Sequence, residues 1–138
     1  MQNKNSKFSL SICKDKNQWD NFIANSSQSN LFCETRFIDA YQNDCELIFV
    51  YSGKRVLLGA MIMVGQNNKP SSSPFLYQGL FMDESIFHLS SQKKVKKTIK
   101  LIEFLLVEIE KKYQTICFSL HPSLTDLRSF QWHNYHHP

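Results

Sequence analysis

The signatures of metal-ribbon, membrane-spanning and secreted proteins are missing from this chain of 138 residues. Its four cysteines, at positions 13, 33, 45 and 117, include no pair with the C-x-x-C spacing of a zinc ribbon. No stretch reaches the roughly 18 apolar residues of a transmembrane helix, and the N-terminus lacks the apolar region of a signal peptide. These absences predict a cytoplasmic protein whose cysteines are reduced, buried thiols.

The composition is that of a folded globular protein. Apolar residues make up 42% of the chain and charged residues 20%, which excludes an intrinsically disordered chain. The length suffices for one domain with a core of its own. The net charge of +4 and the pI of about 8.9 are mildly basic. The charge is compatible with an anionic partner such as a phosphate, a nucleotide or an RNA, but it does not require one.

One strand and two helices are predicted for the first third of the chain. Residues 7–13 alternate in hydropathy as a strand does. Residues 16–27 carry apolar side chains at helical spacing, and Asn17 is in a position to cap the start of this helix. Residues 31–42 predict a second short helix.

The middle of the chain predicts antiparallel strands. Residues 45–53 and 54–66 are rich in Val, Ile and Phe, and Gly53 between them favours a tight hairpin. Gly59, inside the second strand, predicts either a β-bulge or a close approach of another group to the backbone. A third apolar run at 74–82 predicts one more strand.

The longest predicted element is a helix over 90–113, followed by a strand over 114–122 and a helix over 125–135. The apolar residues expected to form the buried face of the long helix are Val95, Ile99, Ile102, Leu106 and Ile109. The order β-α-α-β-β-β-α-β-α places the protein in the α/β class, with a mixed (α+β) sheet. The strand after the long helix is expected to return parallel by a right-handed crossover.

Three stretches follow one another in an order that is typical of a known enzyme superfamily. They are "QWDNFIANSSQSNLFCETRFIDAY", "LLGAMIMVGQNNKPSSSPFLYQGLF" and "FSLHPSLTDLRSFQWHNY". The first resembles a Trp-bearing helix, a loop and a second helix; the second resembles central strands that end in "YQG"; the third resembles a strand followed by an Asp-x-Arg-x-Phe-x-Trp segment. Together they resemble the GNAT superfamily of acyl-CoA N-acyltransferases, and most closely the Fem-type peptidyltransferases and their bacterial relatives.

The resemblance implies an N-acyltransferase or aminoacyltransferase that acts in cell-envelope, peptidoglycan or surface-polysaccharide synthesis. Acyl-CoA or aminoacyl-tRNA would be its co-substrate, with no tightly bound cofactor. The glycine-bearing turn that holds the CoA pyrophosphate in GNAT enzymes reads "MDESIFHLSSQKK" here, without a glycine. The alternative is therefore a GNAT-like module that binds or positions a partner without catalysis.

The resemblance also implies a second domain, because Fem-type proteins usually pack two such domains together. Residues 1–138 would then form a single GNAT-like domain, the first of two, and residues 124–138 a linker helix towards the second domain. We expect the 138 residues on their own to be inactive. The half of the long helix beyond Lys100 is apolar almost all round, which indicates that both of its sides are covered.

Several residues are expected to face the second domain, or to mediate self-association if that domain is lacking. They are Phe104, Val107, Asp126, Arg128, Phe130, Trp132 and Tyr135.

A stripe of lysines on the first turns of the long helix is the candidate phosphate-binding site. Lys93, Lys97 and Lys100 share one side of the helix, close to an N-terminus whose dipole also attracts anions. The stripe would bind the phosphates of CoA, a nucleotide or tRNA. The alternative interpretation is a solvated lysine face that keeps the protein soluble.

Catalytic and metal-binding residues are not identified by the sequence. His133, His136 and His137 lack a carboxylate or thiol at a spacing that would complete a metal site. Cys117 and His121 could form a nucleophile and base pair, but two residues four apart on a strand lie roughly 13 Å apart. We therefore predict no metal site and leave the catalytic residues open.

Overall fold

A computed structural model describes residues 7–29, 31–41, 45–63, 79–113 and 128–131. In chain order the helices and strands are β1 (Phe8–Ile12), α1 (Lys16–Ala24), a 3-10 turn (Leu31–Cys33), α2 (Thr35–Tyr41), β2 (Cys45–Ser52), β3 (Arg55–Met63), β4 (Leu80–Met82), α3 (Glu84–Phe87) and α4 (Ser91–Glu110). Residues 128–131 are also helical. Over the described ranges, no helix has the length and apolar character needed to cross a bilayer.

The four strands form one sheet in the order β1-β2-β3-β4, and each neighbouring pair is antiparallel. The α+β class and the antiparallel arrangement of the middle strands are therefore confirmed. The predicted parallel strand at 114–122 lies outside the described residues. Gly53 has a φ of 62°, a left-handed conformation that suits glycine, and it forms the β2–β3 turn as predicted.

A β-bulge next to this turn changes which side chains face α4. The β2–β3 register shifts between Val50 and Tyr51, so that Val50 is opposite Leu58 while Tyr51 is opposite Val56. Leu57 is the extra residue of the bulge. Leu57 and Leu58 consequently both pack into the core on the α4 side of the sheet.

The sheet is covered by helices on both faces. On one face, α3 and α4 pack on alternate residues of β2, β3 and β4. On the other, α1 and α2 cover Phe49, Met61 and Phe81, with Trp19 fully buried among them. Trp19 stacks on Phe49 at 5.4 Å between ring centroids, and its indole Nε1 donates to the Cys33 carbonyl at 2.9 Å. Aromatic packing and one satisfied polar atom thus fix α1 on the sheet.

Gly59 marks a close approach of side chains to the backbone, which is one of its two predicted roles. A Cβ at this position would lie 2.8 Å from Cε1 of Phe22 and 3.2 Å from Cζ3 of Trp19. The bulge, by contrast, lies nearer the turn, at Leu57. Glycine is therefore required here for space, because α1 packs directly on β3.

Three local features differ from the sequence-based expectations. The N-cap of α1 is Asp15, whose carboxylate accepts from the backbone N–H groups of Asn17 and Gln18, so Asn17 is not the cap. The segment predicted as one helix over 31–42 is a 3-10 turn followed by α2. The short helix α3 was not predicted at all.

The predicted buried face of α4 is confirmed in part: Ile102 and Ile109 are buried, and Leu106 packs partly against the core. The buried residues are Thr98, Leu101, Ile102, Leu105 and Ile109. Val95, expected in the core, is 39% exposed. The expected and the observed buried faces both have helical spacing. The face that packs on the sheet is the one that carries Leu101 and Leu105. The other face is turned towards residues 128–131, where the Ser129 hydroxyl donates to the Ile99 carbonyl at 3.3 Å.

Candidate anion-binding site

Five cationic side chains line one cavity between the first half of α4 and the β2–β3 hairpin. The cavity has a volume of about 530 Å³. Its cations are Arg55, Lys93, Lys96, Lys97 and Lys100. The other lining residues are two serines and three apolar side chains, Ser52, Ser85, Leu57, Ile86 and Leu89. Cations and hydroxyls converging on one cavity suit a phosphate, whose oxygens accept charge-assisted hydrogen bonds.

The predicted phosphate-binding lysines, Lys93, Lys97 and Lys100, are brought together in this cavity, with Lys96 beside them. Within the described part of the chain, none of the four forms an ion pair. Four cations close together on one helix repel one another, and a bound anion would reduce this repulsion. Lys97 is the most restrained of them, since its Nζ lies 5.4 Å from the centroid of the Phe8 ring.

Arg55 enters the cavity from the first position of β3 and is held by Asp83. Its Nε and Nη2 donate to Asp83 Oδ2 at 3.2 and 2.9 Å. The same oxygen accepts from the backbone N–H and the hydroxyl of Ser85, at 3.3 and 2.5 Å. Asp83 is thereby the N-cap of α3 as well as the partner of Arg55.

The position of Asp83 is fixed by the loop after α1. Met82, the residue before it, donates its backbone N–H to Gln28 Oε1 at 2.8 Å and accepts from the Ser26 hydroxyl at 2.8 Å. Asp83 itself donates its backbone N–H to the Leu57 carbonyl at 2.9 Å. The backbone hydrogen bonds at the end of β4 are thus made on both sides of the strand. They fix the backbone of Asp83, whose carboxylate contacts Arg55 and Ser85 of the basic cavity.

A second cavity lies on the neighbouring side of α4 and shares Lys96 and Lys100 with the basic cavity. Its volume is about 680 Å³. Its remaining lining residues are Ser91, Gln92, Val95, Ile99, Glu103 and Arg128. The two cavities are therefore adjacent and are separated by the two shared lysines. The basic cavity is strongly cationic, and the second cavity has a lining of mixed polarity.

Four of the residues expected at a second-domain interface are described by the structure. Val107 is 37% exposed on α4. Phe104 is half-buried, with its ring 5.8 Å from that of Phe8 in an edge-on arrangement. Arg128 is exposed and lines the second cavity, while Phe130 is half-buried against the core on the α4 side. The helical residues 128–131 thus pack on α4.

The other interface residues, Asp126, Trp132 and Tyr135, lie outside the described residues. The interface with a second domain stays a prediction.

The described cysteines are poorly suited to act as nucleophiles at neutral pH. Burial raises the pKa of the Cys45 thiol to about 12, and the nearby Glu46 and Cys33 add to the rise. Partial burial also raises the pKa of Cys13. Because the thiolate is the reactive form, both thiols are expected to be inert near pH 7.

No group of three His, Cys, Asp or Glu side chains arranged to hold a metal ion occurs within the described ranges. His133, His136 and His137 lie outside those ranges, as do Cys117 and His121. The sequence-based prediction for these histidines therefore stays untested.

Sequence reasoning found the lysines of the site but missed Arg55, Asp83 and Ser85. The signal that could have found them is local. "DES" at 83–85 places an N-cap acid two residues before a serine, immediately after an apolar run. Arg55 directly follows the hairpin turn, and only the strand register shows that it faces the end of β4.

No protein-family model, curated protein or solved structure matches the chain. The resemblance to GNAT enzymes stays a prediction, and the functional argument depends on the site.

Proposed function

We propose that this chain is a GNAT-like module that binds the phosphate-bearing co-substrate of an acyl or aminoacyl transferase of cell-envelope synthesis. Acyl-CoA and aminoacyl-tRNA are the two co-substrates that the resemblance implies. Both carry phosphates, and the basic cavity is where we place them.

The observation that supports the proposal is the convergence of Arg55 with the lysines of α4 on one cavity. A solvated lysine face would need only the helix. Here a cation from a different element, oriented by Asp83, is added to the same cavity. An oriented guanidinium matches two oxygens of a phosphate, while lysines supply less directional charge.

A covalent route for the transferred group through the two thiols Cys13 and Cys45 is disfavoured. Transfer through a cysteine would need a thiolate, and the raised pKa values of Cys13 and Cys45 oppose its formation. These two thiols therefore do not carry the acyl group, whereas direct attack of an amine on the acyl donor would not require them.

The binding proposal is tested by titrating the chain with inorganic pyrophosphate at several salt concentrations. Replacing Lys93, Lys97 and Lys100 together by Gln should weaken binding about tenfold or more, because charge-assisted hydrogen bonds are lost. The affinity of the unmodified chain should also fall as salt rises, because salt screens the attraction between the cationic side chains and the phosphates.

A matched control removes the same charge elsewhere. Lys14, Lys16 and Lys111 are exposed and line no part of the basic cavity. Replacing these three by Gln also lowers the net charge by three, yet should leave pyrophosphate affinity within about twofold. Equal losses of pyrophosphate affinity in the two triple variants would show that the lysines act only through general surface charge, which would contradict the proposed site.

Catalysis is tested separately, by incubating the 138 residues with labelled acyl-CoA or charged tRNA and candidate amines. Product formed by the chain alone would overturn the view that it is a binding module. Binding of the co-substrate without product would support that view.

A further inference from the structure

The second cavity differs chemically from the basic cavity to which it is joined. Val95 and Ile99, one helical turn apart on α4, give it an apolar wall. Gln92 and Glu103 add an amide and a carboxylate on the same helix, and Arg128 adds a guanidinium from the C-terminal segment. A carboxylate in the lining disfavours phosphates, so the anionic part of a ligand belongs on the other side of the shared lysines.

We infer that the second cavity binds the base of a nucleotide whose phosphates lie in the basic cavity. This inference rests on the proposed phosphate binding and names the ligand class for the same site. Lys96 and Lys100 line both cavities, so one ligand can lie across them with its phosphates on one side and its base on the other.

The mixed lining favours a base over an aliphatic chain. A nucleobase has two apolar faces and an edge of hydrogen-bond donors and acceptors, which matches an apolar wall bordered by Gln92 and Glu103. An alkyl chain would cover the same polar groups without pairing them, and unpaired polar groups cost binding free energy. The cavity, about 680 Å³ in volume, is wide open to solvent, so a base would lie with one face on Val95 and Ile99 and the other towards water.

Val95 is the residue best placed to test the base site. It is 39% exposed and belongs to no described core cluster, so its replacement should leave the fold intact. Replacing Val95 by Asn keeps the size and charge similar but removes the apolar surface on which the base would lie. Replacing Val95 by Leu retains an apolar surface and is the matched control.

The experiment measures the affinities of the full chain for inorganic pyrophosphate, ADP, octyl phosphate and a short single-stranded RNA at one salt concentration. We expect ADP to bind about tenfold more tightly than pyrophosphate, because the base would remove apolar surface of Val95 and Ile99 from water. Val95→Asn should remove most of this advantage while leaving pyrophosphate binding unchanged. Val95→Leu should retain it.

Four outcomes would overturn the base site. Equal binding of pyrophosphate and ADP would show that the second cavity contributes nothing, while leaving the phosphate site intact. Octyl phosphate binding as tightly as ADP would show that the cavity takes any apolar group. Tight binding of single-stranded RNA without binding of ADP would assign both cavities to a nucleic-acid backbone surface. Absence of binding by every ligand would overturn the phosphate site as well.

Discussion

Arg55 and Asp83, 28 positions apart, are joined through a single oxygen: Asp83 Oδ2 accepts from both Nε and Nη2 of Arg55. The same oxygen caps α3 through Ser85. The Asp83 side chain is 12% exposed and that of Arg55 62% exposed. The carboxylate is therefore part of the fold, whereas the guanidinium is largely exposed beside the cavity. One acid thus links the capping of α3 to the orientation of a candidate phosphate ligand.

Two substitutions at Asp83 should separate these roles. Asp83→Ala removes the cap and the ion pair, and we expect it to lower the free energy of unfolding by about 1–2 kcal/mol. Asp83→Asn retains a capping oxygen and loses the charge that pairs with a largely exposed arginine, so its cost should stay below about 1 kcal/mol. Chemical denaturation of both variants measures the difference.

Arg55→Gln is the control for the ion pair, and it should destabilise the fold no more than Asp83→Asn does. Equal losses for Asp83→Ala and Asp83→Asn would mean that capping of α3 contributes nothing.

The spacing between α1 and β3 leads to a second prediction. A methyl group on residue 59 would meet the Phe22 ring at 2.8 Å, and that ring is itself held against Phe49. We expect Gly59→Ala to lower the free energy of unfolding by about 1–3 kcal/mol, the usual cost of overpacking a core. Thermal or denaturant unfolding gives the value.

A double variant distinguishes crowding from a backbone effect. Phe22→Leu removes the ring atoms nearest to position 59, so the losses for Gly59→Ala and Phe22→Leu should sum to more than the loss in the double variant. Additive losses would show that the cost of alanine has another origin.

Elements with a strong local signal could be predicted from the sequence. The alternating apolar residues of β2 and β3, the glycine at the turn and the lysine spacing of α4 each occur within a few residues of one another. The helix α3 was missed because four residues are too few to show a period. The buried face of α4 was predicted only in part: Ile102 and Ile109 are buried but Val95 is exposed, because the helix is apolar on two sides and its packing partners decide which side is covered.

The candidate site could be predicted only in part, for the same reason. Lys93, Lys97 and Lys100 lie on one helix, so helical geometry alone brings them together. Arg55 and Asp83 come from the ends of two different strands, and a bulge at Leu57 intervenes in the β2–β3 register. Contacts that depend on strand register cannot be read from local periodicity.

The buried thiol of Cys45 gives a prediction about pH. Its pKa is raised in the folded protein from an ordinary 9.0 to about 12, mainly by burial. A raised thiol pKa contributes stability that is fully present below pH 9 and is lost as the pH rises through the folded value. We therefore expect the free energy of unfolding to fall between pH 9 and pH 12, and Cys45→Ala to make this fall shallower.

The two proteins are compared by the slope of the free energy of unfolding against pH, because alanine also removes packing and changes the free energy of unfolding at every pH. Parallel curves for the two proteins over this range would show that Cys45 does not titrate with unfolding. Alkylation is a second test of the buried thiol: at pH 8, Cys45 should react with iodoacetamide far more slowly in the folded chain than in denaturant.

The last prediction compares Phe104 and Val107, two of the residues expected to face a second domain. Val107 is exposed, so Val107→Lys should reduce self-association while changing the free energy of unfolding by less than about 0.5 kcal/mol. Phe104 packs edge-on against Phe8, so Phe104→Lys should cost about 1–3 kcal/mol and give no cleaner monomer. Sedimentation at several concentrations and denaturant unfolding measure the two effects.

Phe104→Leu, which keeps an apolar side chain, should lose less stability than Phe104→Lys. An unmodified chain that sediments as a monomer at every concentration and binds no hydrophobic dye would contradict the idea that exposed apolar residues on α4 drive association.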